Sequence, residues 1–125
     1  LVLDTYELLP GDCFDDAAVE VSDDGDAVTV TTVSCDDPHD NEVVALYEFP
    51  EGPYPGDQAV FDELDVVCPA AWPDYVGISY EDSLLFYFYF YPTAETWAAG
   101  DRLAICMAYD GDLEPLVGSV FMSGR

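Results

Sequence analysis

Four cysteines, at positions 13, 35, 68 and 106, constrain this chain more than any other feature. No two of them form a CxxC, so a zinc ribbon is not expected. An even count in a chain of 125 residues points to two disulfides and an oxidising compartment. The competing reading is four buried free thiols in a cytosolic protein. Four cysteines permit three connectivities, and their spacing alone does not choose among them. The elements around them favour Cys13–Cys35 and Cys68–Cys106.

Ala27–Val33 is rich in Val and Thr, as strands prefer. The acidic turn Asp23-Asp24-Gly25-Asp26 separates it from Ala18–Ser22, so the two read as a hairpin. Cys13 and Cys35 bracket that hairpin. Glu42–Phe49 reads as a strand with Val43, Ala45, Tyr47 and Phe49 on one face. Asp57–Val67 reads as a helix, with Val60, Phe61, Leu64, Val67 and Cys68 on its apolar side. Asp57 suits the positive end of that helix, and Pro69 is expected to stop it.

In Ser83–Tyr91, Leu84, Phe86, Phe88 and Phe90 alternate with Leu85, Tyr87, Tyr89 and Tyr91. A strand puts these sets on opposite faces. The Phe face is expected in the core, and the Tyr face is expected to be part-wet because of its hydroxyl tips. Thr93–Ala99 is a short helical turn with Thr93 as N-cap and Gly100 as C-cap. Arg102–Tyr109 is a strand whose small face, Ala104, Cys106 and Ala108, lets a helix approach closely. The helix ending at Cys68 is the candidate, which pairs Cys68 with Cys106. Residues 116–122 are expected to form a last short strand. The fold class is therefore α+β: one domain, 1–125, with a small antiparallel or mixed sheet and one main helix packed on it.

There are 27 acidic residues against two arginines and no lysine, for a net charge of -25. With 50% hydrophobic residues the chain still has enough apolar surface to fold. Nucleic acid is not expected as a partner and anionic membrane surfaces are poor ones, since binding phosphate requires basic residues. The acids are spread along the whole chain, which favours a solvating role in salty water over cation capture or a basic partner. No apolar stretch reaches the ~20 residues that span a membrane. Leu1 in place of an initiator Met implies a fragment or a processed chain.

Several segments follow one another in a distinctive order: Gly11-Asp12-Cys13-Phe14, then Val33–Val43 with Cys35, Pro38, His39 and Glu42. After them come a lone Cys68, Tyr75-Val76-Gly77, Tyr91-Pro92-Thr93, Trp97–Arg102, Cys106 and Gly118-Ser119. Over roughly residues 10–120 the pattern resembles the septum formation domain family of actinobacterial membrane-anchored and secreted proteins. The resemblance implies display outside the membrane, often behind one transmembrane helix, and a link to cell division. It carries no chemistry. This chain departs from the family in its acidity and in showing no anchor.

His39, the only histidine, sits in a polar loop with Asp40 and Glu42 close in sequence. Such a group can serve as a general base or metal ligand, or simply fix the turn after Cys35. Arg102 either anchors an anionic ligand or pairs internally with Asp12 or Asp101, and Arg102→Lys is expected to be poorly tolerated. Tyr87, Tyr89 and Tyr91, with Trp72 and Trp97, form either an aromatic binding platform or a packing layer. The turns Asp23–Asp26 and Asp110-Gly111-Asp112 are candidates for weak calcium binding, though neither fits an EF-hand loop.

The function expected from these readings is that of an extracytoplasmic interaction module in a cell-envelope or division-associated protein. It would have no catalytic residues, no cofactor, no resident metal, and an envelope or membrane protein as partner. The alternatives are a calcium-stabilised structural module and a hydrolase built on His39.

Overall fold

The computed structural model describes residues 2–21 and 28–125. Six strands form one antiparallel sheet: β1 (Val2–Asp4), β2 (Cys13–Val21), β3 (Val28–Val33), β4 (Asn41–Glu48), β5 (Leu85–Phe90) and β6 (Leu103–Asp110). Their order across the sheet is β1-β3-β2-β4-β6-β5. The β2–β3 hairpin forms as expected, while its Asp23–Asp26 turn lies outside the described residues.

Helix α1 (Asp57–Ala70) packs on one face of this sheet and buries Val60, Leu64 and Cys68. The i, i+4, i+8 spacing of these residues is what the sequence pattern called for. Pro69 does not stop the helix but sits inside its last turn. A proline lacks its own N–H and crowds the carbonyl four residues back, but here both effects fall on the last turn, and the helix runs on to Ala70. Helix α2 (Trp72–Tyr75) follows directly. The main core lies beneath these helices and includes Val44, Trp72, Val76, Leu85, Ala104, Cys106 and Ala108. Ala104 and Ala108 give the helix the close approach that the Cys68–Cys106 disulfide needs. Cys13–Cys35 is also formed.

A bulge between Val43 and Ala45 changes the face that β4 presents. Val43 therefore belongs with Met107 on the face away from α1, while Val44 and Ala45 turn toward the helix. The expected shared face of Val43 with Ala45, Tyr47 and Phe49 is broken at that point. The far face holds a second, smaller cluster of Leu8, Phe14, Val30, Val43, Ile105 and Met107.

The expected assignment of faces in β5 is reversed. Tyr87 and Tyr89 pack beneath α1, whereas Phe86 and Phe88 are 48% and 55% exposed. The helix offers the phenols carboxylate acceptors: Tyr87 and Tyr89 both donate to Asp65, at 2.8 and 3.1 Å. Strand β5 is also the sheet edge; on its Phe face Phe90 packs on the far-side cluster and stacks on Phe14, while Phe86 and Phe88 stay about half exposed. Helix α3 (Ala94–Ala98) starts with a capping box in which Thr93 accepts from the Thr96 amide. Its C-cap is Ala99, and Gly100 follows at φ +104°. Residues 116–122 do not form a strand; Leu116 makes an isolated bridge with His39, and the Gly118 and Met122 amides donate to the Cys35 and Tyr75 carbonyls.

Candidate functional site

Glu42 is fully buried and organises the region where β2, β4, α2 and the C-terminal segment meet. A turn at Gly11, with φ +99°, brings Cys13 opposite Glu42 in the β2–β4 pairing. The Glu42 carboxylate accepts three hydrogen bonds. Tyr75 Oη and Ser119 Oγ donate to Oε2 at 2.7 and 2.8 Å, and the Val120 amide donates to Oε1 at 2.9 Å. A buried carboxylate requires such donors, since its desolvation is otherwise prohibitive. Burial, and then the bond to Glu42, raise the Tyr75 phenol well above its ordinary value, so it stays a proton donor.

His39 is buried beside Glu42. Its Nδ1 lies 2.8 Å from the Asp37 carbonyl, which can only accept, so Nδ1 carries a proton. Its Nε2 faces Glu42 Oε1 at 4.0 Å and has no hydrogen-bond partner among the described residues. The His39 backbone exchanges both hydrogen bonds with Leu116, at 2.9 and 2.7 Å, which pins the C-terminal segment over the site. A ring held this way does not reach bulk solvent, and Ser34 Oγ is engaged with the Asp36 amide. Neither feature supports a His39-centred hydrolase.

Asp40 does not join His39 and Glu42. Its carboxylate accepts from the Asp16 amide at 2.9 Å and its own amide donates to Asp15 at 3.0 Å. Asp40 lies instead on the rim of a cavity of about 510 Å³ on the sheet face away from α1. Phe14, Val19, Phe88, Phe90, Met107 and Tyr109 make its apolar lining, and Asp16, Asp110 and Glu114 join Asp40 at the rim. Phe14 on β2 and Phe90 on β5 stack at 6.0 Å. Those strands are three positions apart in the sheet, about 14 Å if it were flat. The two side chains lean toward each other across β4 and β6 to cover that span, and the cavity is the hollow beside them.

Arg102 pairs with neither Asp12 nor the Asp101 carboxylate. Its Nη1 donates to the Trp97 and Asp101 carbonyls at 2.8 and 3.0 Å, and its guanidinium lies 3.9 Å from the Trp97 ring centre. The Asp101 carboxylate instead accepts from the Leu103 amide at 3.0 Å. Glu51, at 3.5 Å, is an exposed partner of small worth. A lysine cannot stack flat on an indole while reaching two carbonyls. Arg102→Lys should cost about 1–2 kcal/mol in urea unfolding, and an unchanged midpoint would mean that the guanidinium does not hold α3.

Tyr87 and Tyr89 form a packing layer rather than a platform, and burial followed by the bond to Asp65 raises both phenols, Tyr89 to about 12. Trp72 and Trp97 are buried as well, donating to Ser83 Oγ and to the Gly52 carbonyl. In the Asp110–Asp112 turn, the Asp110 carboxylate accepts from the Asp112 and Glu114 amides, both at 3.3 Å, so its oxygens serve the loop. The other acidic turn lies outside the described residues.

A family model described as septum formation matches residues 7–106. The chain belongs to the septum formation family. No curated protein and no solved structure matches it. The match ends before Gly118-Ser119, so the resemblance extends less far toward the C-terminus than the sequence pattern implied. Among the described residues, this septum formation domain has no helix long and apolar enough to cross a membrane.

The sequence reading missed Tyr75, Ser119 and Val120 as partners of Glu42, and missed the hollow on the far face. The Tyr75-Val76-Gly77 and Gly118-Ser119 segments were a usable signal for two of those partners. Nothing local linked them to position 42, because they lie 33 and 77 residues away.

Proposed function

We propose that this septum formation domain is an extracytoplasmic interaction module of an envelope or division-associated protein, acting by binding rather than catalysis. Two disulfides and the family support the location. The observation that carries the binding role is the apolar hollow of the sheet with its acidic rim. Phe88 stands at its mouth, half exposed, and a natural occupant for such a surface is another protein. The rim carboxylates Asp16, Asp40, Asp110 and Glu114 have no basic residue among them, and both arginines lie elsewhere. Charge complementarity therefore selects the occupant: a segment of an envelope protein with an aromatic or aliphatic anchor flanked by Lys or Arg.

A cationic peptide with a Phe-Leu anchor between lysines, titrated against the protein by calorimetry, tests this. Phe88→Asp should weaken binding about 10- to 100-fold, the worth of one buried anchor contact. If the peptide were held only by the negative field, the added carboxylate would leave binding equal or tighter. That outcome would sink the proposal, as would equal binding of the same peptide with glutamates in place of lysines.

A further inference from the structure

The cluster around Glu42 contains more donor atoms than the fold uses. Cys13 Sγ, Cys35 Sγ, a His39 ring nitrogen and a Glu42 carboxylate oxygen all lie within 4.8 Å of one another. His39 Nε2 is buried with no hydrogen-bond partner among the described residues, while Nδ1 is tied to a backbone carbonyl. That division of labour, one nitrogen anchored and the other free, is how metal-ligating histidines are oriented. Glu42 is similarly divided. Its Oε2 takes both hydroxyls, whereas Oε1, the atom nearer His39, accepts only the Val120 amide from a true donor and keeps a lone pair free. Cys13 Sγ lies 3.4 Å from that same oxygen but has no proton to give while the disulfide stands.

We propose that Cys13, Cys35, His39 and Glu42 form a zinc site when the Cys13–Cys35 bond is reduced, so that disulfide and metal alternate in one place. Two thiolates, one imidazole and one carboxylate form a four-ligand set suited to tetrahedral zinc, and the soft sulfurs select against calcium. The reduced set carries three negative charges with the ring neutral, inside a chain of net charge -25, and a divalent cation offsets two of them.

The reductant is an external dithiol. One of its thiolates attacks Cys35 Sγ, the S–S bond breaks, and the electron pair leaves on Cys13 Sγ. The second thiolate then releases Cys35, and the reductant departs as its own disulfide. Zinc displaces the two thiol protons to solvent. Cys35 is partly exposed while Cys68 and Cys106 are buried, so this bridge is the accessible one. Bound at about 2.3 Å each, the sulfurs of a tetrahedral zinc sit about 3.8 Å apart. They must therefore move apart once the bond is broken, which χ1 rotations across a Cα–Cα distance of 5.4 Å accommodate.

The test reduces the protein with a limiting dithiol, maps the free thiols by alkylation, removes the reductant and adds cobalt(II) as a spectroscopic substitute for zinc. The expected result is one metal per chain, with a thiolate-to-cobalt charge-transfer band and tetrahedral d–d bands. The oxidised protein should take up none, and zinc should slow reoxidation of Cys13–Cys35 by glutathione disulfide. His39→Ala should weaken the affinity at least about tenfold, since losing even an outer-shell partner costs that much. Because His39 is buried, Cys35→Ser at the partly exposed position provides a second variant, with folding followed by near-ultraviolet circular dichroism. The proposal is overturned by absence of uptake in the reduced protein, by uptake indifferent to both substitutions, or by uptake that requires Cys68 and Cys106.

Discussion

Glu42→Ala is expected to destabilise the domain by about 3–5 kcal/mol, the usual result of removing one side of a buried charged network. The substitution strands the Tyr75 hydroxyl, the Ser119 hydroxyl and the Val120 amide, all of which now point at the carboxylate. Each orphaned donor costs about 1–3 kcal/mol, less whatever the hydroxyls recover by rotating toward solvent. Glu42→Gln should cost less, about 1–2 kcal/mol. Its amide oxygen can still accept from Val120, and both hydroxyls can turn to accept from the new NH2 group. Urea unfolding of the three proteins checks the order. Hydrogen exchange at Val120 adds a local readout, since the alanine variant should free the C-terminal segment before global unfolding. An alanine variant within about 1 kcal/mol of the parent would mean that the site is not the structural anchor described above.

The Cys68→Ala, Cys106→Ala double variant should lose about 4–5 kcal/mol, more than the corresponding Cys13, Cys35 pair. Loop length does not produce that difference. With sequence separations of 38 and 22, the chain-entropy contributions are about 3.9 and 3.4 kcal/mol, nearly equal. Position decides. The Cys68–Cys106 bridge lies in the main core with Val44, Leu64 and Trp72, so truncating it also leaves a void beneath α1. The other bridge has a partly exposed sulfur, and the surroundings can relax around it. Thermal and urea unfolding of the two double variants would decide the matter. Equal losses would show that chain entropy alone accounts for both bridges.

Much of this architecture was legible from short-range pattern. Val- and Thr-rich runs with an acidic Gly turn gave the β2–β3 hairpin, and the apolar spacing of Val60, Leu64 and Cys68 gave α1. Both disulfides followed from which elements had to be neighbours. The facing of β5 was not legible. Alternation located the strand, but the greater apolarity of the Phe face pointed the wrong way, because hydroxyl tips that find a partner can be packed beneath a helix. The deciding factor was a third partner, Asp65 on α1, whose carboxylate reaches the phenol tips. The extent of α1 was misjudged because Pro69 stands in the last turn, where its disturbance of the helix is confined to that turn. His39 and Glu42 lie side by side, whereas Asp40, grouped with them on proximity in sequence, does not join them. Asp40 sits in the bend just before β4, where its carboxylate accepts from the Asp16 amide, and so it lies at the rim of the hollow.

The phenols beneath α1 bear on how so acidic a chain holds together. Tyr47 donates to Glu63, Tyr54 to Asp57, and Tyr87 and Tyr89 to Asp65. Elsewhere a lysine or arginine would serve those carboxylates, and the resulting ion pairs would fade as salt screened them. A neutral hydroxyl has no net charge to screen. The seam between helix and sheet is therefore less sensitive to ionic strength than ion pairs would be, whereas the repulsion across the molecule is fully exposed to screening. From dilute buffer to brine, the overall repulsion relaxes while the helix keeps its hold on the sheet.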